Sequence, residues 1–185
     1  DLVKDGLSDF EIIDSNPRYI QQLDKIENVR QILRYEQFKN CFRELDVSYI
    51  TGETGAGKTR SVMEKYGYQN VYRVTDYDHP FDSYKGQDVI VFEEFRSSLK
   101  IQDMLNYLDG YPCELPCRYN NKLACFTKVY IITNISFNQQ YINIQAESKE
   151  TWKAFCRRIH HFFTCTKALG MQEETEWVQM TCFEK

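Results

Sequence analysis

The stretch ITGETGAGKT, residues 50–59, begins on the last residue of the strand-like run VSYI and leads into RSVMEKYGY. Gly52, Gly57, Lys58 and Thr59 satisfy G-x-x-x-x-G-K-[ST] at every fixed position. Glycines let a backbone turn tightly around an anion, so that successive N–H groups converge on phosphate oxygens. A helix beginning at the lysine adds the positive end of its dipole. The loop Gly52, Glu53, Thr54, Gly55, Ala56, Gly57, Lys58, Thr59 and Arg60 is therefore expected to cradle ATP. Lys58 reaches the β- and γ-phosphates, and Thr59 offers its hydroxyl to Mg²⁺.

Outward from this loop, short apolar runs alternate with helical stretches. VSYIT (47–51), VYRVT (71–75), DVIVFEEF (88–95), VYIITN (129–134) and HHFFTCT (160–166) read as strands. Residues 58–66 and SLKIQDMLNYLDG (98–110) read as helices, the second closed by Gly110. SKETWKAFCRRI (148–159) reads as a third helix, opened by a capping box of Ser148 and Thr151. Two strand-like runs, CELPCRY and KLACFTK, flank Asn120-Asn121 and predict a hairpin. The expected fold is α/β: a mostly parallel sheet covered by helices on both faces. Residues 1–43 are polar, with Ile20, Leu23, Ile26, Ile32 and Leu33 at helical spacing and a start signal at Asn16-Pro17. That helical segment either packs on a neighbouring subunit or covers the domain's own sheet. Residues 44–185 form the ATPase domain.

Composition sets the class. At 185 residues, with 42% hydrophobic and 27% charged side chains, the chain suits one globular domain with a small appendage. A net charge of −4 excludes a wholesale basic protein, yet a ring or groove can still concentrate positive charge locally. The seven cysteines (41, 113, 117, 125, 156, 165, 182) are odd in number and lack zinc-ligand spacing, so reduced thiols are expected. No apolar run approaches a membrane span, and no signal peptide opens the chain. The first residue is Asp, as in a piece of something longer.

The remaining chemistry sits at the ends of apolar runs. VIVF buries a strand and delivers Glu93 and Glu94 to the carboxyl end of the sheet. One carboxylate holds Mg²⁺, directly or through its water; the other polarises the water that attacks the γ-phosphate. We assign Glu93 to the metal, beside Thr59, and Glu94 to the water. VYIIT delivers Asn134, which could position that water or simply form a turn. FCRRI places Arg157 and Arg158 near a helix end, where an arginine can reach a neighbour's γ-phosphate or pair with surface acids.

The succession GETGAGKT, VIVFEEF, a hairpin carrying Lys122, IITN and W-x-x-F-x-R-R-I resembles the superfamily 3 helicase domain of rolling-circle replication initiators. Specifically, it is similar to the Rep proteins of circoviruses and related single-stranded DNA replicons, including bacterial plasmids. The resemblance covers roughly residues 45–165. It implies an AAA+ type P-loop fold, with Gly52 to Thr59 as Walker A and Glu93–Glu94 as Walker B. It makes Asn134 the sensor, and Arg157–Arg158 the arginine-finger region with Arg158 the first choice. It also implies that the hairpin projects into the channel of a hexameric ring. Lys122 at its tip, helped by Arg118 and Lys128, would grip the backbone of single-stranded DNA, and Tyr119 could stack on a base. The first segment would serve oligomerisation. Glu-Glu stands where many relatives have an aspartate. The family's N-terminal endonuclease is absent from this stretch, and the adjacent His160 and His161 do not replace its metal-binding pair.

The function expected is an ATP-dependent DNA helicase for rolling-circle replication, in bacterial cytoplasm if plasmid-encoded and in the host nucleus if viral. Three rivals remain open: a superfamily 3 RNA helicase of a positive-strand RNA virus, a P-loop loader or packaging motor, and a non-catalytic module.

Overall fold

A computed structural model describes residues 2–183 and divides the chain into two compact units, meeting between Cys41 and Phe42. The first unit is helical. Helix α1 (Asp9–Ser15) opens on Ser8, whose hydroxyl caps Glu11 while the Glu11 carboxylate returns to the Ser8 N–H. A 3₁₀ turn, Pro17–Gln22, starts where the Asn16 side chain accepts from the Arg18 N–H at 3.1 Å. Helix α2 (Leu23–Phe38) is tied back to α1 by Arg30, which pairs with Asp9 and donates to the Leu7 carbonyl. Ile26 is buried, whereas Ile20 and Ile32 are exposed.

The second unit is built on a sheet. Its elements are β1 (Asp46–Gly52), α3 (Lys58–Tyr66), β2 (Val71–Val74), β3 (Val89–Phe92), α4 (Ile101–Tyr107), β4 (Glu114–Leu115), β5 (Lys122–Leu123) and β6 (Lys128–Ile132). They continue with α5 (Ile142–Glu147), α6 (Lys149–Cys156), β7 (His161–Thr166), β8 (Gly170–Glu173) and α7 (Thr175–Phe183). The main sheet runs β2-β3-β6-β1-β7-β8; every neighbouring pair is parallel except β7–β8. This is the α/β architecture the alternation predicts.

Side-chain alternation explains why both faces are covered. Tyr49, Ile90, Phe92, Val129 and Ile131 point to one core, with α4 and α6 supplying Met104, Trp152 and Phe155. Ile50, Val89, Val91, Tyr130 and Ile132 point to the other, where α3 supplies Val62 and Met63. Near-continuous apolar strands are what burial on both faces requires. Phe137 stacks on Phe155 with centroids 5.8 Å apart, locking the segment after β6 to α6.

Several local expectations change. Helix α4 ends at Tyr107, and Gly110 does not cap it. Glycine is needed there because a Cβ would lie 2.4 Å from the Arg43 carbonyl oxygen. Ser148 forms no capping box; its hydroxyl pairs with that of Thr151 at 2.7 Å. Strand β8 and helix α5 went unpredicted, because QYINIQAE and GMQE carry little apolar periodicity. His160 and His161 do face different partners. His160 Nδ1 accepts from the Val47 N–H at 3.0 Å, while His161 lies between Asp46 and Glu173. Cys113, Cys117 and Cys165 are free thiols.

Candidate nucleotide and nucleic-acid sites

Strand order decides where the chemistry gathers. Strand β6 lies between β1 and β3, so the carboxyl ends of three adjacent strands carry the glycine loop, Asn134 and the Glu93–Glu94 pair. The Thr133 N–H donates to the Ile50 carbonyl at 3.0 Å, and the Phe95 N–H to the Ile132 carbonyl at 2.9 Å. Those two bonds extend the sheet past its formal ends and fix the three termini together.

The loop itself turns from β1 into α3. Gly52 lies so close to β7 that a Cβ would come within 1.9 Å of the Cys165 carbonyl oxygen. Gly57, at φ +88, occupies left-handed backbone directly before Lys58, with open space where a Cβ would be. Side chains are thus kept out of the concave face, and the N-terminal amides of α3 point into it. Lys58 is 6% exposed and curls across the loop, its Nζ donating to the Gly52 and Glu53 carbonyls at 2.8 Å each. Glu53, Thr54 and Gly55 are exposed and Ala56 is half-buried. Arg60 is also exposed and pairs with Glu64 one turn along α3.

The acids divide sharply. Glu93 is nearly buried; one carboxylate oxygen accepts from the Thr59 hydroxyl at 2.8 Å and the other from Arg73 Nε at 2.7 Å. Its carbonyl accepts from the Tyr77 hydroxyl at 2.7 Å. Burial, with Glu93 and Glu94 nearby, pushes the Tyr77 phenol well above its ordinary range, so it remains a donor. Glu94 is exposed and sits at φ +47, a strained backbone position for a residue with a side chain. The Thr59 hydroxyl and the Glu93 carboxylate make a pair of hard oxygen donors beside a phosphate cradle, which suits Mg²⁺. Asn134 is exposed, and its amide oxygen accepts from Arg96 Nη2 at 2.8 Å.

The two arginines of FCRRI differ. Arg158 is held internally: Nη2 pairs with Asp109 at 2.7 Å and Nη1 donates to the Ala154 carbonyl at 2.9 Å. Arg157 is exposed, and its side chain has no partner among the described residues.

The hairpin needs a correction. Lys122 is not at the tip. It stands in β5 opposite Leu115, and its Nζ turns back to the Asp82 carbonyl at 2.6 Å. Arg118 pairs with Asp82 through both its backbone N–H and its guanidinium, and this holds the Asp82 carboxyl below its usual range. Lys128 begins β6, at the opposite end of the strand from Asn134, and pairs with Asp88 at 3.1 Å. The turn is therefore longer than Asn120-Asn121, and its most exposed large side chain is Tyr119, at 92%.

Sequence reasoning missed Arg73, Tyr77, Arg96 and Gln140. Arg73 carried one weak signal, a charge interrupting VYRVT on a strand beside the acids. The others sit in polar loops with no periodicity to mark them.

A family model described as RNA helicase matches residues 48–135. The replication-associated protein of Goose circovirus is 32% identical over 142 residues, 76% of this chain and 45% of the relative. That of Canary circovirus is 28% identical over 89 residues, 48% of this chain and 30% of the relative. A replication protein of Onion yellows phytoplasma (strain OY-M) is 30% identical over 108 residues, 55% of this chain and 28% of the relative. The chain thus spans less than half the length of each of these relatives. The glycine loop, the paired acids and Asn134 on three adjacent strands, with these matches alongside, support a superfamily 3 helicase domain similar to those of Rep-type replication proteins.

Proposed function

We propose that this chain is the ATP-driven motor of a replication initiator, hydrolysing ATP to translocate on single-stranded DNA and unwind duplex. The observation that carries the reading is the Thr59–Glu93 contact beside Lys58, with Glu94 and Asn134 on neighbouring strand ends. Lys58 would leave the loop carbonyls for the β- and γ-phosphates. Thr59 and Glu93 would hold Mg²⁺, which supplies charge neutralisation at the phosphate oxygens. Glu94 would accept a proton from the attacking water, and Asn134 would fix that water's position.

Hydrolysis would be completed by a second copy of the chain. Arg157, exposed and unpaired among the described residues, suits a finger reaching a neighbour's γ-phosphate better than Arg158, which is bound to Asp109. Exposed Ile20, Ile32 and Tyr35 on the first unit support an oligomerisation role for it, in a hexameric ring. The hairpin would present Tyr119 to bases, with Arg118 and Lys122 behind it and Lys128 as a more distant cation. No helix among the described residues is long and apolar enough to cross a membrane. The relatives' origins support work in a bacterial cytoplasm or in the nucleus of a virus's host.

A second reading, unwinding of RNA, is favoured by the description of the matched family. Strand displacement on a forked DNA duplex and a matched RNA duplex, with and without ATP, tests both. ATP-dependent displacement of DNA supports the first reading; displacement of RNA alone would replace it with the second. ATP hydrolysis without displacement of either would point to a loader.

A further inference from the structure

Arg96 lies two residues beyond Glu94, and its Nη2 donates to the amide oxygen of Asn134 at 2.8 Å. A guanidinium carries donors only, so the oxygen of that amide must face Arg96 and the NH₂ group must face away. The backbone that presents Arg96 is tightly fixed. Gln140, fully buried, spends both ends of its amide on the residues flanking it. Its Oε1 accepts from the Ser97 N–H at 2.6 Å and the Ser97 hydroxyl at 2.8 Å. Its Nε2 donates to the Phe95 carbonyl at 2.9 Å and the Tyr49 hydroxyl at 3.0 Å. Ser97 is held at φ +53, left-handed backbone that a serine seldom adopts unaided. Tyr49 belongs to β1, the strand that feeds the glycine loop, so one buried side chain ties β1 to both neighbours of Arg96.

We infer that Arg96 is a positioning residue that sets the polarity of the Asn134 amide. An asparagine amide has two nearly isosteric orientations. With the oxygen claimed by Arg96, the NH₂ donor is what Asn134 offers to the attacking water and the γ-phosphate oxygens. The reversed amide would aim a carbonyl at those oxygens and repel them. Arg96 acts through Asn134 and needs no contact with nucleotide. The inference rests on the proposed role of Asn134.

The test is a double-mutant cycle in the full chain, reading kcat and KM for ATP and the affinity for a fluorescent ATP analogue. Arg96→Met and Asn134→Ala should each lower kcat, by up to about 10²-fold for a misplaced positioning group, with KM and analogue affinity nearly unchanged. The double variant should be no slower than Asn134→Ala alone. Arg96→Lys, which keeps a donor, should recover part of the loss. Because Arg96 is exposed, the variants should melt like the parent. Losses that multiply in the double variant would show Arg96 acting independently and overturn the inference. So would a wild-type kcat in Arg96→Met beside an impaired Asn134→Ala, which leaves the reading of Asn134 intact. A wild-type kcat in Asn134→Ala, or a parent chain without ATP hydrolysis, would overturn that reading and the inference together.

Discussion

The hydroxyl of Thr59 and the carboxylate of Glu93 meet at 2.8 Å, although 34 positions separate them in the chain. The contact joins the first turn of α3 to the end of β3, across the intervening strand β6. It leaves Glu93 doubly engaged, by Thr59 and Arg73, while Glu94 is exposed on a strained backbone.

That asymmetry separates the two acids. Glu94→Gln should retain Mg²⁺-dependent nucleotide binding while hydrolysis falls about 10²–10⁴-fold, the usual contribution of a general base. Glu93→Gln should weaken the metal dependence of binding itself. Nucleotide titrations with and without Mg²⁺, beside turnover, check the assignment. A Glu93→Gln chain that binds normally and only loses turnover would mean the roles are exchanged.

The arginine pair should split between assembly and fold. Arg157→Ala should cut hydrolysis about 10³-fold or more, as loss of an arginine finger does, with nucleotide affinity unchanged. Arg158→Ala should instead lower thermal stability, by about 1.5–3 kcal/mol for the charged hydrogen bonds it loses. Mixing Arg157→Ala with Lys58→Ala subunits should restore some turnover. Hybrid rings that form without rescue would count against action across an interface.

At the hairpin, Tyr119→Ala should weaken binding of single-stranded DNA by about 1–3 kcal/mol, the worth of one stacked base, whatever the sequence. Arg118→Ala should act through phosphate and flatten the salt dependence, by less than the roughly 0.7 in log–log slope of a full contact because its guanidinium is shared with Asp82. Lys122→Ala should do less than either, since its Nζ is bound to the Asp82 carbonyl. Fluorescence anisotropy at several salt concentrations reads all three. Unchanged affinity in Tyr119→Ala would move the track of the strand elsewhere.

The parallel strands and the residues at their carboxyl ends were legible in the sequence, because sheet burial on both faces writes itself as apolar runs; the spatial order of the strands and strand β8 were not. VIVF, VYII and VSYI could be read for that reason. What could not be read was pairing between side chains. FCRRI shows two arginines and no hint that Asp109 claims the second; CRYNNK shows two cations and no hint that Asp82 folds both of them back. Gln140 lies in the polar run SFNQQY, which reads as surface, yet its side chain is fully buried. Its burial follows from four tertiary hydrogen bonds that no local pattern encodes.

His160 gives the fold a pH dependence. Burial holds its pKa below the ordinary 6.5, with His161 acting in the same direction and Asp46 opposing. The neutral ring accepts from the Val47 N–H, so the folded state binds fewer protons than the unfolded one near pH 6. The contribution is therefore present above about pH 6.5 and lost as pH falls through the depressed pKa. Thermal midpoints between pH 8 and pH 5 should fall with acid in the parent and fall less steeply in His160→Gln. Parallel profiles would assign the acid sensitivity to other groups.

The central claim, an ATP-driven motor stimulated by nucleic acid, is tested most directly by ATP turnover measured with and without single-stranded DNA, in the parent and in Lys58→Ala. The parent should hydrolyse ATP in the presence of Mg²⁺ and speed up when DNA is added. Lys58→Ala should melt near the parent and show no turnover in either condition. Wild-type hydrolysis in Lys58→Ala, or a parent rate that DNA leaves unchanged, would contradict the account.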